Sequence, residues 1–99
     1  MELNETVKLM RSVDYKERFI AEYWQLKIRY EKLKDFNNRI EASQQVSGHY
    51  CSALERLPNE PRHDCPADML RQQQRIMGEY LHILEVRAVI EGIDLTKGV

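Results

Sequence analysis

Phe19-Ile20-Ala21-Glu22-Tyr23-Trp24-Gln25-Leu26-Lys27-Ile28-Arg29-Tyr30-Glu31-Lys32-Leu33-Lys34-Asp35-Phe36-Asn37-Asn38-Arg39-Ile40 is the stretch that decides the fold. Phe19, Tyr23, Leu26, Tyr30, Leu33, Asn37 and Ile40 step 4-3-4-3-4-3 through it. That spacing keeps one face of an α-helix apolar and matches the seam of a coiled coil. Ile20, Trp24 and Phe36 widen the stripe, and Ile28 lies roughly opposite, so one partner helix does not cover all of it. Asp14, followed three places later by Glu17, predicts a capping box at the start, and no Gly or Pro interrupts the run to Glu41. A helix over 14–41 follows.

A second stripe, Leu70, Gln73, Met77, Tyr80, Leu84 and Arg87, steps 3-4-3-4-3 and predicts a helix over 66–91. Pro66 suits its first turn, where a missing amide donor costs nothing. Gly92 supplies a left-handed stop, with Ile93 placed to close back on the last turn. The two helices are close in length and favour antiparallel pairing. Ahead of them, Leu3, Val7, Met10 and Val13 mark a lead helix over 3–13. Between them, 42–65 is a connector with Ser43, Ser47, Gly48, Pro58 and Pro61, in which 49–57 reads as two helical turns. Residues 92–99 form a tail. The fold class is all-α: one domain, a long antiparallel helical hairpin with a short N-terminal helix and a partly helical connector.

The second helix carries more apolar surface than a hairpin needs. Met69, Ile76, Ile83 and Ile90 form a seven-residue row beside Leu70, Met77 and Leu84, and Leu81 and Ala88 extend it. A chain of 99 residues buries a modest fraction of its surface by itself. Self-association into a homo-oligomer is therefore expected, the alternative cover being the lead helix folded back over the hairpin. Asn37 and Gln73 on the seams read as amides that fix register. Arg87 is expected to meet Glu22 or Glu17.

Charge excludes several classes. The chain is 31% charged with a net of -1, and both halves are near balance, so the basic excess of a nucleic-acid binder is missing. No run of apolar residues is long enough to span a bilayer. The opening Met1-Glu2-Leu3-Asn4-Glu5 has no secretory-signal layout, and Cys51 and Cys65 read as free thiols, so a cytoplasmic location is expected. No Gly-rich phosphate loop, nucleophile elbow or zinc-helix motif appears, so neither an enzyme nor a cofactor is expected. His49, Cys51, His63 and Cys65 have the donor types of a tetrahedral zinc site but not the usual spacing, and remain a weak alternative.

A small anionic ligand fits better. Tyr15, Arg18, Trp24 and Lys27 on the first helix, and Arg71, Arg75, Tyr80 and Arg87 on the second, mix aromatic faces with cations. Aromatic faces stack bases, and guanidinium groups hold phosphates through paired hydrogen bonds.

Asp14-Tyr15-Lys16-Glu17-Arg18-Phe19, Glu22-Tyr23, Leu26, Arg29 and Leu33, with Leu70, Gln73, Met77, Tyr80, Leu84-Glu85, Arg87-Ala88 and Glu91-Gly92-Ile93, resemble the two helices of a family of small phage and prophage proteins related to a crAss-like phage protein. The lead helix and the long connector depart from its shorter members. The resemblance implies a non-enzymatic phage accessory protein. Similar hairpins occur in phage sponges that oligomerise and sequester the cyclic nucleotide signals of CBASS and Thoeris immunity. The expected function is thus an oligomeric counter-defence protein that holds a nucleotide signal between subunits. The alternative is a module that inhibits a host protein through an exposed helix face.

Overall fold

The computed structural model describes residues 1–47 and 60–96, with no side-chain description at 46 and 47. It contains α1 (Leu3–Met10), α2 (Tyr15–Ser47) and α3 (Ala67–Glu91), with no strand among the described residues. α2 and α3 pack as the expected hairpin in a body 57 Å long.

α2 starts where predicted, with a different cap. The Asp14 carboxylate accepts the Lys16 N–H at 3.0 Å, while the Asp14 N–H donates to Ser12 Oγ at 3.0 Å, so Ser12 rather than Glu17 completes the exchange. α2 also runs past 41 to Ser47. Ser43, Gln44 and Gln45 are polar, but glutamine is a good helix former and no Gly or Pro intervenes before Gly48. The two-turn helix expected at 49–57 lies outside the described residues.

The inner face of α2 is the predicted stripe: Phe19, Tyr23, Asn37 and Ile40 are buried, and Leu26, Tyr30 and Leu33 half-buried. α3 is rotated from its predicted phase. Its inward residues are Leu70, Gln74, Met77, Leu81, Leu84 and Ala88, whereas Gln73, Tyr80 and Arg87 are exposed. Both stripes share Leu70, Met77 and Leu84, and a helix apolar over much of its circumference does not choose between adjacent seams from periodicity alone. The C-terminal stop forms as expected. Gly92 takes φ 67°, Ile93 donates to the Ala88 carbonyl at 2.8 Å, and its side chain is buried.

The apolar core sits at one end of the hairpin, where Phe19, Ile20 and Tyr23 meet Leu81, Leu84, Ala88 and Ile93. Trp24 Nε1 donates to the Leu95 carbonyl at 2.7 Å and ties the tail to that core. α1 packs on α2 but presents Thr6 and Leu9, not the predicted stripe: Val7 and Met10 are largely exposed and Val13 is 98% exposed. Gln25 Nε2 donates to Thr6 Oγ1 at 2.9 Å, and Thr6 donates to the Leu3 carbonyl, so the fully buried hydroxyl is satisfied in both roles. Burying Thr6 turns the Val7 side outward. The lead helix therefore covers α2 and leaves the surplus face of α3 open.

Candidate functional site

Beyond the core, toward the connector end, the hairpin opens into a groove of about 870 Å³. Tyr30, Asn37, Asn38 and Glu41 line it from α2, and Arg71, Gln74, Arg75, Gly78, Glu79, His82 and Ile83 from α3. The volume lies within the range of small-molecule sites.

One buried amide network fixes the helices here. Asn37 is only 7% exposed; its Nδ2 donates to the Leu70 carbonyl at 3.2 Å and to Gln74 Oε1 at 2.8 Å. Its Oδ1 is buried without a hydrogen-bond partner among the described residues. The register role expected of Asn37 is present, whereas Gln73 is exposed and takes no part in this contact. Gly78 has a steric reason. A Cβ there would stand 3.2 Å from Tyr30 Cε1, so the missing side chain lets the tyrosine ring lie against the α3 backbone at the groove.

The groove cations differ in commitment. Arg71 is ion-paired with Asp68, a carboxylate almost fully exposed to water. Arg75 and His82 have no hydrogen bond or ion pair among the described residues. Arg71 and Arg75 stand one helical turn apart, about 6 Å along the axis. Glu41 and Glu79 add acceptors to the lining.

The structure separates the eight sequence-predicted residues. Arg71 and Arg75 line the groove. Tyr15 and Arg87 meet at the opposite end. There Arg87 Nη2 donates to the Tyr15 hydroxyl at 2.5 Å, that hydroxyl donates to Glu91 Oε1 at 3.0 Å, and Arg87 Nε donates to Glu91 Oε2 at 3.1 Å. The guanidinium also lies 5.0 Å from the Phe19 ring centroid. Arg87 thus pairs with Glu91 on its own helix rather than with Glu17 or Glu22. Glu22 instead accepts the Tyr80 hydroxyl, a bond that, with burial, raises the Tyr80 pKa and keeps it a donor. Arg18 donates to the Ser12 carbonyl at 2.9 Å, Lys27 lies 3.9 Å from Glu31, and Trp24 holds the tail.

Sequence reasoning left Gln74, Gly78, Glu79 and His82 out of the site. A usable signal was present: a glycine inside an uninterrupted helix, with Arg71, Arg75 and His82 repeating at 4 and 7 on its face.

Of the weak zinc set, His49 and Cys51 lie outside the described residues. His63 Nδ1 contacts the Cys65 carbonyl at 2.6 Å, its Nε2 lies 3.5 Å from Glu60, and its ring stands edge-on to Phe36. Cys65 is a free thiol. Among the described residues no three His, Cys, Asp or Glu side chains gather as a metal site, and no helix is long and apolar enough to cross a membrane.

A family model described as Sequestin matches residues 13–90. No curated protein and no solved structure matches the chain.

Proposed function

The chain belongs to the Sequestin family, non-enzymatic proteins that sequester nucleotide immune signals, and we propose that this member holds its signal in the groove between α2 and α3. The observation that carries this reading is Arg75, a guanidinium with no hydrogen bond or ion pair among the described residues, in a groove large enough for a nucleotide and one turn from Arg71. Arg71 gives up little when it leaves Asp68 for a phosphate, because an exposed ion pair contributes about 0–1 kcal/mol. The exchange gains paired, charge-assisted hydrogen bonds. Tyr30 offers a ring for a base, a contact worth roughly 1–3 kcal/mol. Glu79 repels phosphate and accepts from ribose hydroxyls or an exocyclic amine, so the phosphates face Arg71 and Arg75 and the nucleoside lies toward Glu79 and His82.

Holding a signal requires tight binding and no bond cleavage, which agrees with a site built of cations, amides and one aromatic ring. In this reading the protein is a phage or prophage counter-defence factor acting in the host cytoplasm as a homo-oligomer, each copy carrying its ligand in its own groove between α2 and α3. A cyclic dinucleotide, a cyclic trinucleotide or a cyclic ADP-ribose isomer each presents the required pairing of phosphates and bases. The exposed α3 face also favours a second reading, inhibition of a host protein docked there.

Calorimetric titration with each of those ligand classes tests the proposal. At least one binds tightly, and Arg71→Ala with Arg75→Ala weakens it roughly tenfold to hundredfold. Arg87→Ala, at the Tyr15 end, leaves binding within about threefold. A ligand lost with Arg87→Ala but kept by the double variant moves the phosphate site to that end. Binding of none of the ligands, with one host protein co-purifying instead, favours the second reading.

A further inference from the structure

The amide network in the groove leaves one polar atom over. Asn37 lines the groove and is 7% exposed, and its Oδ1 is buried with no hydrogen-bond partner among the described residues. A buried acceptor without a partner is costly, so its presence calls for a reason. We propose that Asn37 and Gln74 together read one nucleobase of the bound signal: Asn37 accepts from its exocyclic amine, and Gln74 donates to the ring nitrogen beside that amine. This rests on the groove reading above and adds a base preference to it.

The backbone fixes the polarity of the pair. The Leu70 carbonyl only accepts, so the Asn37 amide must turn its Nδ2 toward it, and does so at 3.2 Å. The same Nδ2 donates to Gln74 at 2.8 Å, so Gln74 must answer with Oε1. Flipping either amide sets two acceptors or two donors against each other. Gln74 is half-buried, lines the same groove and makes no other hydrogen bond among the described residues. Its Nε2 therefore keeps its hydrogens for a ligand. Two linked amides on facing helices thus offer one acceptor and one donor.

That is the pattern by which a single asparagine or glutamine side chain grips adenine. Bases divide into two classes by such an edge. Adenine and cytosine carry an amine beside a bare ring nitrogen. Hypoxanthine, uracil and the matching edge of guanine carry a carbonyl beside a ring N–H.

Depth decides between the classes. The group that projects from the ring goes to the deeper atom, Asn37 Oδ1, and the ring nitrogen meets the shallower Gln74. An amine there completes the missing bond, whereas a carbonyl there opposes acceptor to acceptor. Turning a carbonyl-bearing base over to match would swing its ribose away from the two guanidinium groups. Oδ1 is closed to bulk water, and the Gln74 arm, tied only at Oε1, swings to admit the base edge.

The cations agree with this seat. Arg71 and Arg75 stand on either side of Gln74 along α3, so a base on the pair holds its phosphates beside both. Tyr30 lies two turns of α2 from Asn37, about 10 Å along the axis. It serves the other base of a cyclic dinucleotide, on the Glu79 side.

Calorimetric titration of the full chain with cyclic di-AMP, cyclic di-IMP and cyclic di-GMP tests the pair, because the three share one backbone and one charge. The native protein binds cyclic di-AMP about tenfold to hundredfold more tightly than cyclic di-IMP. Gln74→Met, which stays folded by circular dichroism, brings the two within about threefold. Gln74→Glu keeps an acceptor for Asn37 but replaces the donor with a second acceptor. It therefore moves the preference from cyclic di-AMP toward cyclic di-GMP, whose amine and ring N–H both donate. A loss of stability alone would weaken all three ligands together and leave their order unchanged. Native binding of all three within about threefold, or an order that neither variant alters, overturns the base reading and leaves the groove reading standing. Binding of a different nucleotide class with none of the three does the same. If no nucleotide binds at all, the groove reading fails and the base reading falls with it.

Discussion

Gly78 and Tyr30 show how one residue's absence of a side chain lets an aromatic ring lie against a helix backbone at the groove. Glycine inside a helix costs about 1 kcal/mol against alanine, yet the 3.2 Å approach of a Cβ to the Tyr30 ring opposes the substitution. Gly78→Ala is expected to change stability by less than about 1 kcal/mol, because these effects offset, and to weaken ligand binding severalfold by displacing the ring. Urea denaturation and calorimetry on the same variant separate the two. His63 gives a pH signature in the segment leading into α3. Its bond to the Cys65 carbonyl above all raises its pKa above the ordinary 6.5; burial, next in size, opposes that rise, and Glu60 and Asp64 add to it. The fold therefore favours the protonated ring. Its stabilisation is complete below about pH 6.5 and disappears as pH rises through the raised value. Thermal melts across that window show the native protein losing stability relative to His63→Ala as pH increases; equal pH dependence of the two contradicts the assignment.

Among the elements, α2 was the more legible because its apolar stripe is flanked by charge on most sides, which leaves one phase for the seam. α3 was legible as a helix, with its start near Pro66 and its stop at Gly92, but not in its rotation. Met69, Ile76, Ile83 and Ile90 compete with Leu81 and Ala88 as inward residues, and only contact with α2 selects between them. α1 was legible as a lead helix, though it ends at Met10 rather than 13, and its inward face was not: that position is held by Thr6, whose hydroxyl needs Gln25 on another helix, and no local pattern announces that partner. The site was half legible. Arg71 and Arg75 stood out as cations beside aromatics, whereas the groove depends on the rotation of α3 against α2 and on the missing side chain at Gly78, neither of which periodicity announces. Asn37 is the element-scale test. Asn37→Ala removes its bonds to Leu70 and Gln74 and is expected to cost about 1–3 kcal/mol. Urea unfolding checks it, and an unchanged midpoint would show that the register is set elsewhere.

At the scale of the whole molecule, the core lies at one end of a hairpin and the groove at the other, so in the proposed reading the packed half holds the helices while the open half receives the ligand. That division suits a sequestering protein: a groove whose walls are fixed by packing some distance away, with Arg75 and a weakly committed Arg71 at hand for phosphate. The most direct test is native mass spectrometry of the chain purified from cells that are producing the immune nucleotide. The protein should carry a retained nucleotide that is released chemically intact on denaturation, and Arg75→Glu protein from the same cells should carry none. A bare native protein, or a nucleotide released in cleaved form, would contradict sequestration in this groove.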